Sequence, residues 1–539
     1  MYAMSPQLSK IILAFLLLLP AFSLYIKIFW PHLAQTGFNG AAIVCLEIVF
    51  SIFIGIFGKH PKVTKNGYYL IAALTCWHGL GIISALLSDH FYASLMKQIE
   101  YLVHCLFAYS AWVFLSQVQK SEKMAYFLIF TLMWVIYYIL AAWHSNPDTF
   151  SYDWVRGTPM FNNIRHLGFL QIAVFPLLFF PMLSNQQHKY TITIILLSVF
   201  WGAVIWSCSR GTFLSAIIIN IALILFFNRR TKPLIIISAI TFITGWLIAL
   251  QFPSESESLN PYRLLFLNFE DTQLLDAGRL SSGRTHVWTE TLKSMWSQSP
   301  LFGFGADGYK YISPHILSST VHPHSGPVQV LSEFGILGLI TLLYLTFSCI
   351  KLWRGNPGST INKLSRFGLA AIVIGSFIDG HLYYTFSLLL IACLLALSFP
   401  PPLINSQGTK KRTLAPILLS LTIVLLWPIK EHWQTYMEQQ FPLTNENQLA
   451  QVISFPSYYQ PRVWQYNLSG DPSLRKIAIK FGQDKGPYKC TYFLMEYFES
   501  KNPTQKSNLL SPIKKLCANY ALLDSGDPML IEIGQERLK

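Results

Sequence analysis

The sequence predicts an all-α polytopic membrane protein with about thirteen transmembrane helices. Three observations carry that prediction. Charged residues make up only 12% of the 539, against 52% hydrophobic and 15% aromatic, whereas an ordinary soluble chain is about a quarter charged. Apolar runs of about 18–22 residues recur along the chain, each long enough to cross a bilayer core as a helix. The loops between these runs alternate between strongly basic and not, as the loops of a multi-pass protein do. The mean hydropathy of +0.40 also excludes a disordered chain, which would be poor in apolar residues.

In order, the runs lie at roughly 11–30, 39–58, 67–88, 99–117, 124–143, 166–184, 190–208, 211–228, 233–252, 326–350, 366–380, 382–400 and 413–429. No small-residue cleavage site follows the first run, which therefore reads as a retained anchor rather than a removed signal peptide. The pair around Asp379-Gly380-His381 is either one broken helix or a tight hairpin. Alternate loops collect Lys10; Lys59, Lys62 and Lys65; Lys120 and Lys123; Lys189; Arg229, Arg230 and Lys232; Lys351, Arg354, Lys363 and Arg366; and Lys410, Lys411 and Arg412. Those seventeen basic residues share their loops with one acid, Glu122, so the rest of the chain holds 23 basic and 25 acidic residues out of totals of 40 and 26. The formal charge of +14 is thus an orientation signal and not a footprint for nucleic acid. It predicts a cytoplasmic N-terminus and a chain that lies outside after about residue 430.

The segments expected from this topology are residues 1–252, carrying spans one to nine; 253–325, a large external loop; 326–429, carrying spans ten to thirteen; and 430–539, a small external domain. The loop is too long for a simple connector and reads as functional. The tail mixes both charge signs with helical apolar patterns at Ser473–Phe481, Thr491–Glu499 and Leu509–Leu523. Cys490 and Cys517 are the only cysteines in that tail. Outside a bacterial inner membrane they would sit in an oxidising compartment, and a disulfide between them would stabilise a small domain by about 2–4 kcal/mol.

The residues suited to chemistry cluster on the predicted external side. Arg210 stands in the minimal turn Trp206-Ser207-Cys208-Ser209-Arg210-Gly211 between two apolar helices. There it is either an interfacial anchor or a guanidinium fork aimed at phosphate oxygens. Arg165, in Phe161-Asn162-Asn163-Ile164-Arg165-His166, admits the same two readings. Ser281-Ser282-Gly283-Arg284 precedes the amphipathic stretch Val287–Trp296, then Pro300-Leu301-Phe302-Gly303-Phe304-Gly305. Arg284 falls near the start of a helix, where free N–H groups also favour an anion, and Arg279 is close in sequence; a solvated loop charge is the alternative for both. His322 and His324 flank Pro323 where the loop enters the tenth span. Imidazole is the side chain best suited to accept a proton near neutral pH. The spacing does not suit a helical metal pair and no third ligand is evident, so no metal and no cofactor are expected. Glu333, inside the span, either bonds a neighbouring helix or orients the site.

These residues resemble a family. His324-Ser325, nine residues, then Gly335-Ile336-Leu337-Gly338 fits the pattern of bacterial O-antigen ligases. Ser209-Arg210-Gly211 is similar to the Ser-Arg-Gly turn of the same superfamily, as are Gly283-Arg284, a Trp, and Pro300-Leu301-x-Gly303-x-Gly305. The superfamily includes O-antigen ligases, Wzy-type polymerases and PglL-type protein O-oligosaccharyltransferases. The resemblance covers residues 160–345 and is weak over the first five spans and the tail. It implies metal-independent, inverting enzymes of the inner membrane. They move a glycan from undecaprenyl diphosphate to an acceptor hydroxyl in the periplasm. By position, His324 matches the essential histidine, a general base, and Arg210 and Arg284 match the essential arginines that hold the diphosphate. Arg165 matches more loosely, and Ser325 replaces the commoner Asn.

The acceptor implied is lipid A–core, a growing glycan, or Ser/Thr of a protein. The roughly 110-residue external tail and the Phe161–Arg165 stretch resemble the pilin-glycosylating members, which points to a protein O-oligosaccharyltransferase acting on a type IV pilin. An O-antigen ligase or polymerase is the alternative. A polyprenyl-lipid flippase, with no chemistry, is the third, although transporter sites lie nearer the midplane.

Overall fold

The structure, a computed structural model, describes residues 6–29, 38–58, 65–88, 91–184, 189–254, 259–264, 284–312 and 322–400, apart from positions 156 and 162. In the tail it describes 479, 483, 493–494, 496–498, 500, 502–516, 528–530 and 532. Among the described residues all regular structure is helical. The chain is an all-α polytopic membrane protein. Among the described residues, seven helical segments are long and apolar enough to cross a membrane, and four shorter apolar helices accompany them. The thirteenth expected run, 413–429, lies outside the described residues.

Two compact units are distinguished. The first comprises Met1–Tyr69, Tyr101–Leu275 and Phe347–Leu426; the second comprises Leu70–Glu100, Asp276–Thr346 and Trp427–Lys539. The helices are α1 (Pro6–Phe29), α2 (Phe38–Phe57), α3 (Lys65–Leu87), α4 (Phe91–Val118) and α5 (Ser121–Ser145). They continue as α6 (Leu167–Val174), α7 (Phe180–Leu183), α8 (Tyr190–Trp206), α9 (Arg210–Phe226) and α10 (Thr231–Ala249). After them come α11 (Arg284–Gln298), α12 (Tyr309–Ile312), α13 (Gly326–Gly355), α14 (Thr360–Ser376), α15 (Thr385–Ser398) and, in the tail, α16 (Pro503–Leu516).

In the first unit the segment Ile164–Leu183 is the central strut, almost wholly buried by its neighbours. It is not the single helix expected at 166–184. It opens with a 3-10 turn at Ile164–His166, and α6 gives way to a second 3-10 turn at Phe175–Phe179 before α7. Pro176 and Pro181 cause the breaks, since each lacks the N–H that the helical ladder requires. A bilayer tolerates such irregular backbone only where protein surrounds it, and here α14, α9 and α5 pack on it. Rings of Phe175, Phe200 and Trp201 fill the space between this strut and α8. Large aliphatic side chains on the outward faces, such as Ile195, Leu225, Ile236 and Ile243, are exposed, as lipid-facing positions must be. Glu47 and His104 form a buried pair at 2.8 Å within the apolar helices, the arrangement by which a membrane interior tolerates ionisable groups.

The second unit contains the loop-side elements α11, α12 and the first part of α13, together with residues 70–100 and the tail. In the tail, Leu509 and Ile513 of α16 are buried with Tyr497 and Leu530, so the Leu509–Leu523 pattern is helical as far as Leu516, and 517–523 lie outside the described residues. Of the Ser473–Phe481 pattern only Ile479 is described, whereas 493–494 and 496–498 of the Thr491–Glu499 pattern are described and helical; Cys490 and Cys517 lie outside the described residues.

Candidate active site

The second unit organises the glycine-rich motif and the histidine motif against each other. α13 is interrupted at Gly335, whose backbone takes φ 65° and ψ −164°, a region open essentially only to glycine. The break exposes backbone groups on both sides, and the Pro300–Gly305 turn satisfies them. Phe304 N–H donates to Ser332 O at 2.8 Å and Gly305 N–H to Glu333 O at 2.8 Å, while Ile336 N–H donates to Pro300 O at 2.9 Å. Ser84 Oγ of α3 lies 2.5 Å from Phe302 O and 2.9 Å from Glu333 O, its one hydroxyl proton shared between the two carbonyls. A Cβ at Gly303 would stand 2.5 Å from the Glu333 carbonyl carbon, and one at Gly335 would overlap the Leu301 carbonyl. The glycines shared with the family pattern are therefore the two sides of one close backbone-to-backbone lock. The expected span at 326–350 is helical on both sides of this lock but not through it.

Glu333 sits inside the lock with no exposed surface. Gln329 Nε2 approaches its Oε1 at 3.4 Å, Asp307 neighbours it through both charge and backbone, and its Oε2 has no partner among the described residues. The structure places Glu333 against the motif loop, with Gln329 and Asp307 as its neighbours.

The histidines lead into the same helix. His324 has φ 52°, an uncommon backbone for a non-glycine residue that costs free energy unless neighbours hold it. Three contacts hold it. His324 N–H donates to His322 Nδ1 at 3.1 Å, and the two rings meet edge to face at 4.3 Å. Trp288 Nε1 of α11 donates to Pro323 O at 2.8 Å. His322 is buried, and His324 keeps part of its surface. The Nδ1 contact makes His322 an acceptor at that atom, which fixes its tautomer. Arg284 is the first residue of α11, where the spacing put it, and its side chain is half-buried. Trp288 thus ties the arginine-bearing helix to the histidine turn. Sequence reasoning noted a Trp in the motif but had no signal for its bond to the Pro323 carbonyl.

The first unit holds the other two arginines. Arg210 opens α9 and is exposed. The turn before it bends through Cys208 at φ 49°, and Ser209 Oγ pairs with Thr212 Oγ1 at 2.9 Å instead of capping the helix. The free N–H groups of this helix start add to the guanidinium's attraction for an anion. Arg165 is exposed in the 3-10 turn, where Asn163 Oδ1 accepts from its backbone N–H at 2.9 Å. The two turns are neighbours, because Gly168 packs directly on Thr212. The Asp379-Gly380-His381 segment is a turn between α14 and α15, not a continuous helix. Asp379 N–H donates to Gly375 O at 3.0 Å, and Gly380 N–H is held by Asp379 Oδ1 at 2.8 Å. A Cβ on Gly211 would meet Ile378 at 3.8 Å, so this turn lies beside the start of α9. His381, 3% exposed, is pushed down to about 4 by burial, with Asp379 opposing and His166 reinforcing the shift, and is neutral at physiological pH. Arg279 lies outside the described residues.

Residues 193–343 match the family model described as O-antigen ligase, Wzy_C. That stretch is similar to the O-antigen ligase domain. The matched stretch includes Arg210, Arg284, His324, Gly335 and Gly338, and Arg165 precedes it. A Rickettsia conorii protein named as a candidate polysaccharide ligase is 26% identical over 215 residues, which cover 37% of this chain and 46% of the relative. The match thus spans about half the length of that relative.

Proposed function

We propose that this chain transfers an oligosaccharide from an undecaprenyl diphosphate carrier to a Ser or Thr hydroxyl of a periplasmic protein, a type IV pilin. The observation that carries the reading is His324: within the matched stretch it is held in a strained backbone by His322 and by the Trp288 bond to Pro323. Strain of this kind persists where surrounding contacts over-determine it and concentrates at functional sites.

In this reaction the acceptor oxygen attacks the anomeric carbon and its proton passes to His324. The bond from that carbon to the diphosphate oxygen breaks on the opposite face, which inverts the centre. Arg210, Arg284 and Arg165 hold the departing diphosphate, whose charge they neutralise more strongly at the low dielectric of the membrane boundary than in water. A general base contributes about 10²–10⁴-fold. The leaving group is already activated, so the chemistry needs no metal. The topology behind the reading is an inner-membrane protein with a cytoplasmic N-terminus and a periplasmic C-terminal domain.

A second reading, ligation of O-antigen to lipid A–core, is favoured by the description of the matched family. Deleting the gene separates the two. Loss of the pilin glycan by intact mass, with unchanged lipopolysaccharide on a gel, supports protein glycosylation. Loss of the O-antigen ladder with normal pilin selects the ligase.

A further inference from the structure

His381, Tyr383 and Tyr384 of the turn between α14 and α15 gather with His166 and Phe169 in a group of rings that the roles above do not use. Tyr384 lies 4.5 Å from His166 and 5.5 Å from Phe169, centroid to centroid, and Phe169 stacks on His166 at 5.3 Å and lies 4.3 Å from His381. Tyr383 adds a fifth ring, perpendicular to Tyr384 at 5.3 Å. The burial of this group is graded. Phe169 and His381 are buried, whereas His166, Tyr383 and Tyr384 keep part of their surface. Ring clusters of the core, such as Phe175 and Phe200, are closed completely. The outward rings are an imidazole and two phenols, which pair an apolar face with a polar edge. Beneath them His381 Nδ1 is buried with no partner among the described residues, a polar atom that a water or a ligand hydroxyl has to satisfy.

The location narrows the ligand. His166 follows Arg165 directly, and the turns of Arg210 and Asp379 adjoin through Gly168–Thr212 and Gly211–Ile378. Guanidiniums and a helix start suit a diphosphate. The sugar of a lipid-linked donor is bonded to that diphosphate, so it lies within about one ring's width of the phosphates, where these rings stand. A pyranose presents C–H groups on one face and hydroxyls at its rim, which match a ring face beside a carboxylate and an imidazole.

We propose that His166 and Tyr384, backed by Phe169 and His381, form the platform that takes the diphosphate-linked first sugar of the donor, with Asp379 and His381 addressing its hydroxyls. The assignment rests on the donor class proposed above.

The test compares two probes on the full-length protein in detergent: undecaprenyl diphosphate bearing one N-acetylhexosamine, and undecaprenyl diphosphate alone. Tyr384→Leu and His166→Leu are expected to weaken the sugar-bearing lipid by about tenfold and leave the bare lipid unchanged, and Tyr384→Trp to retain sugar-dependent binding. Equal weakening of both lipids marks a structural role or a diphosphate or isoprenoid contact, and no weakening marks plain packing; either overturns the platform while the donor reading stands. Wild-type protein that binds neither lipid overturns both.

Discussion

Replacing Gly335 with Ala tests the backbone lock that joins the two glycine motifs. The magnitude follows from three terms. The residue's φ 65° and ψ −164° cost an alanine about 1–3 kcal/mol. The new Cβ overlaps the Leu301 carbonyl and stands 2.6 Å from Phe302 N, so the turn must move away from α13. Moving it lengthens the Ile336-to-Pro300 and Leu337-to-Leu301 hydrogen bonds of 2.9 and 3.3 Å, worth about 1 kcal/mol each. The expected loss is about 3–5 kcal/mol, on the scale of a severely destabilising mutation. The assay is the melting temperature of purified protein in detergent, with Gly79→Ala as control. Gly79 lies on α3 with nothing within 4 Å of an added Cβ, and alanine there is expected to be neutral or stabilising by up to about 1 kcal/mol. Gly335→Ala should melt well below wild type and lose glycan transfer. Equal melting temperatures for the two variants would refute the lock.

The remaining predictions concern the site. Trp288→Phe keeps the ring but deletes the N–H that donates to Pro323 O; it is expected to lower transfer by about tenfold with the protein still folded, and unchanged transfer would free the histidine turn from α11. Arg210→Lys and Arg284→Lys are expected to recover little of the donor use lost on Ala substitution, because an ammonium cannot reproduce bidentate contact; full rescue by Lys would reduce each to a point charge. His381 titrates near 4 when folded and 6.5 when unfolded. The unfolded chain therefore takes up the proton first as pH falls, and this contribution to stability is complete above about pH 6.5 and lost towards pH 4. At most it amounts to about 3 kcal/mol. His381→Phe should flatten the fall in melting temperature over that window, and an unchanged slope would assign it to other groups.

The membrane-spanning, all-helical character was legible because bilayer insertion is written in composition. A helix that must cross an apolar slab needs apolar residues all along it, and no partner is required to read that. The start of α11 at Arg284 was legible for a similar local reason, an amphipathic repeat beginning after Ser281-Ser282-Gly283. The break at Gly335 was not, because it depends on the Pro300–Gly305 turn donating to and accepting from the interrupted helix; the pattern identified both motifs without revealing that they touch. The partition of 164–183 into short pieces had a visible cause in Pro176 and Pro181, outweighed in the sequence by the length of the apolar run. Arg210 and His324 stood out as polar residues at the ends of apolar segments, and Arg284 as a cation at the start of an amphipathic one. His166, Tyr384 and His381 did not, since aromatic residues at span ends ordinarily read as interfacial anchors, and only their mutual ring contacts distinguish them. Trp288 was hidden for the reason that hid the lock, its partner being a backbone carbonyl far along the chain.

The central proposal is base-assisted glycan transfer through His324. Its most direct test is transfer by the purified protein, in detergent and in the presence of EDTA, from an undecaprenyl diphosphate oligosaccharide to purified pilin, for wild type and His324→Ala. The account predicts glycosylated pilin with wild type, insensitive to the chelator, and none with a His324→Ala variant that melts as wild type does. Full transfer by His324→Ala, or wild-type transfer that EDTA abolishes and a divalent ion restores, would contradict it.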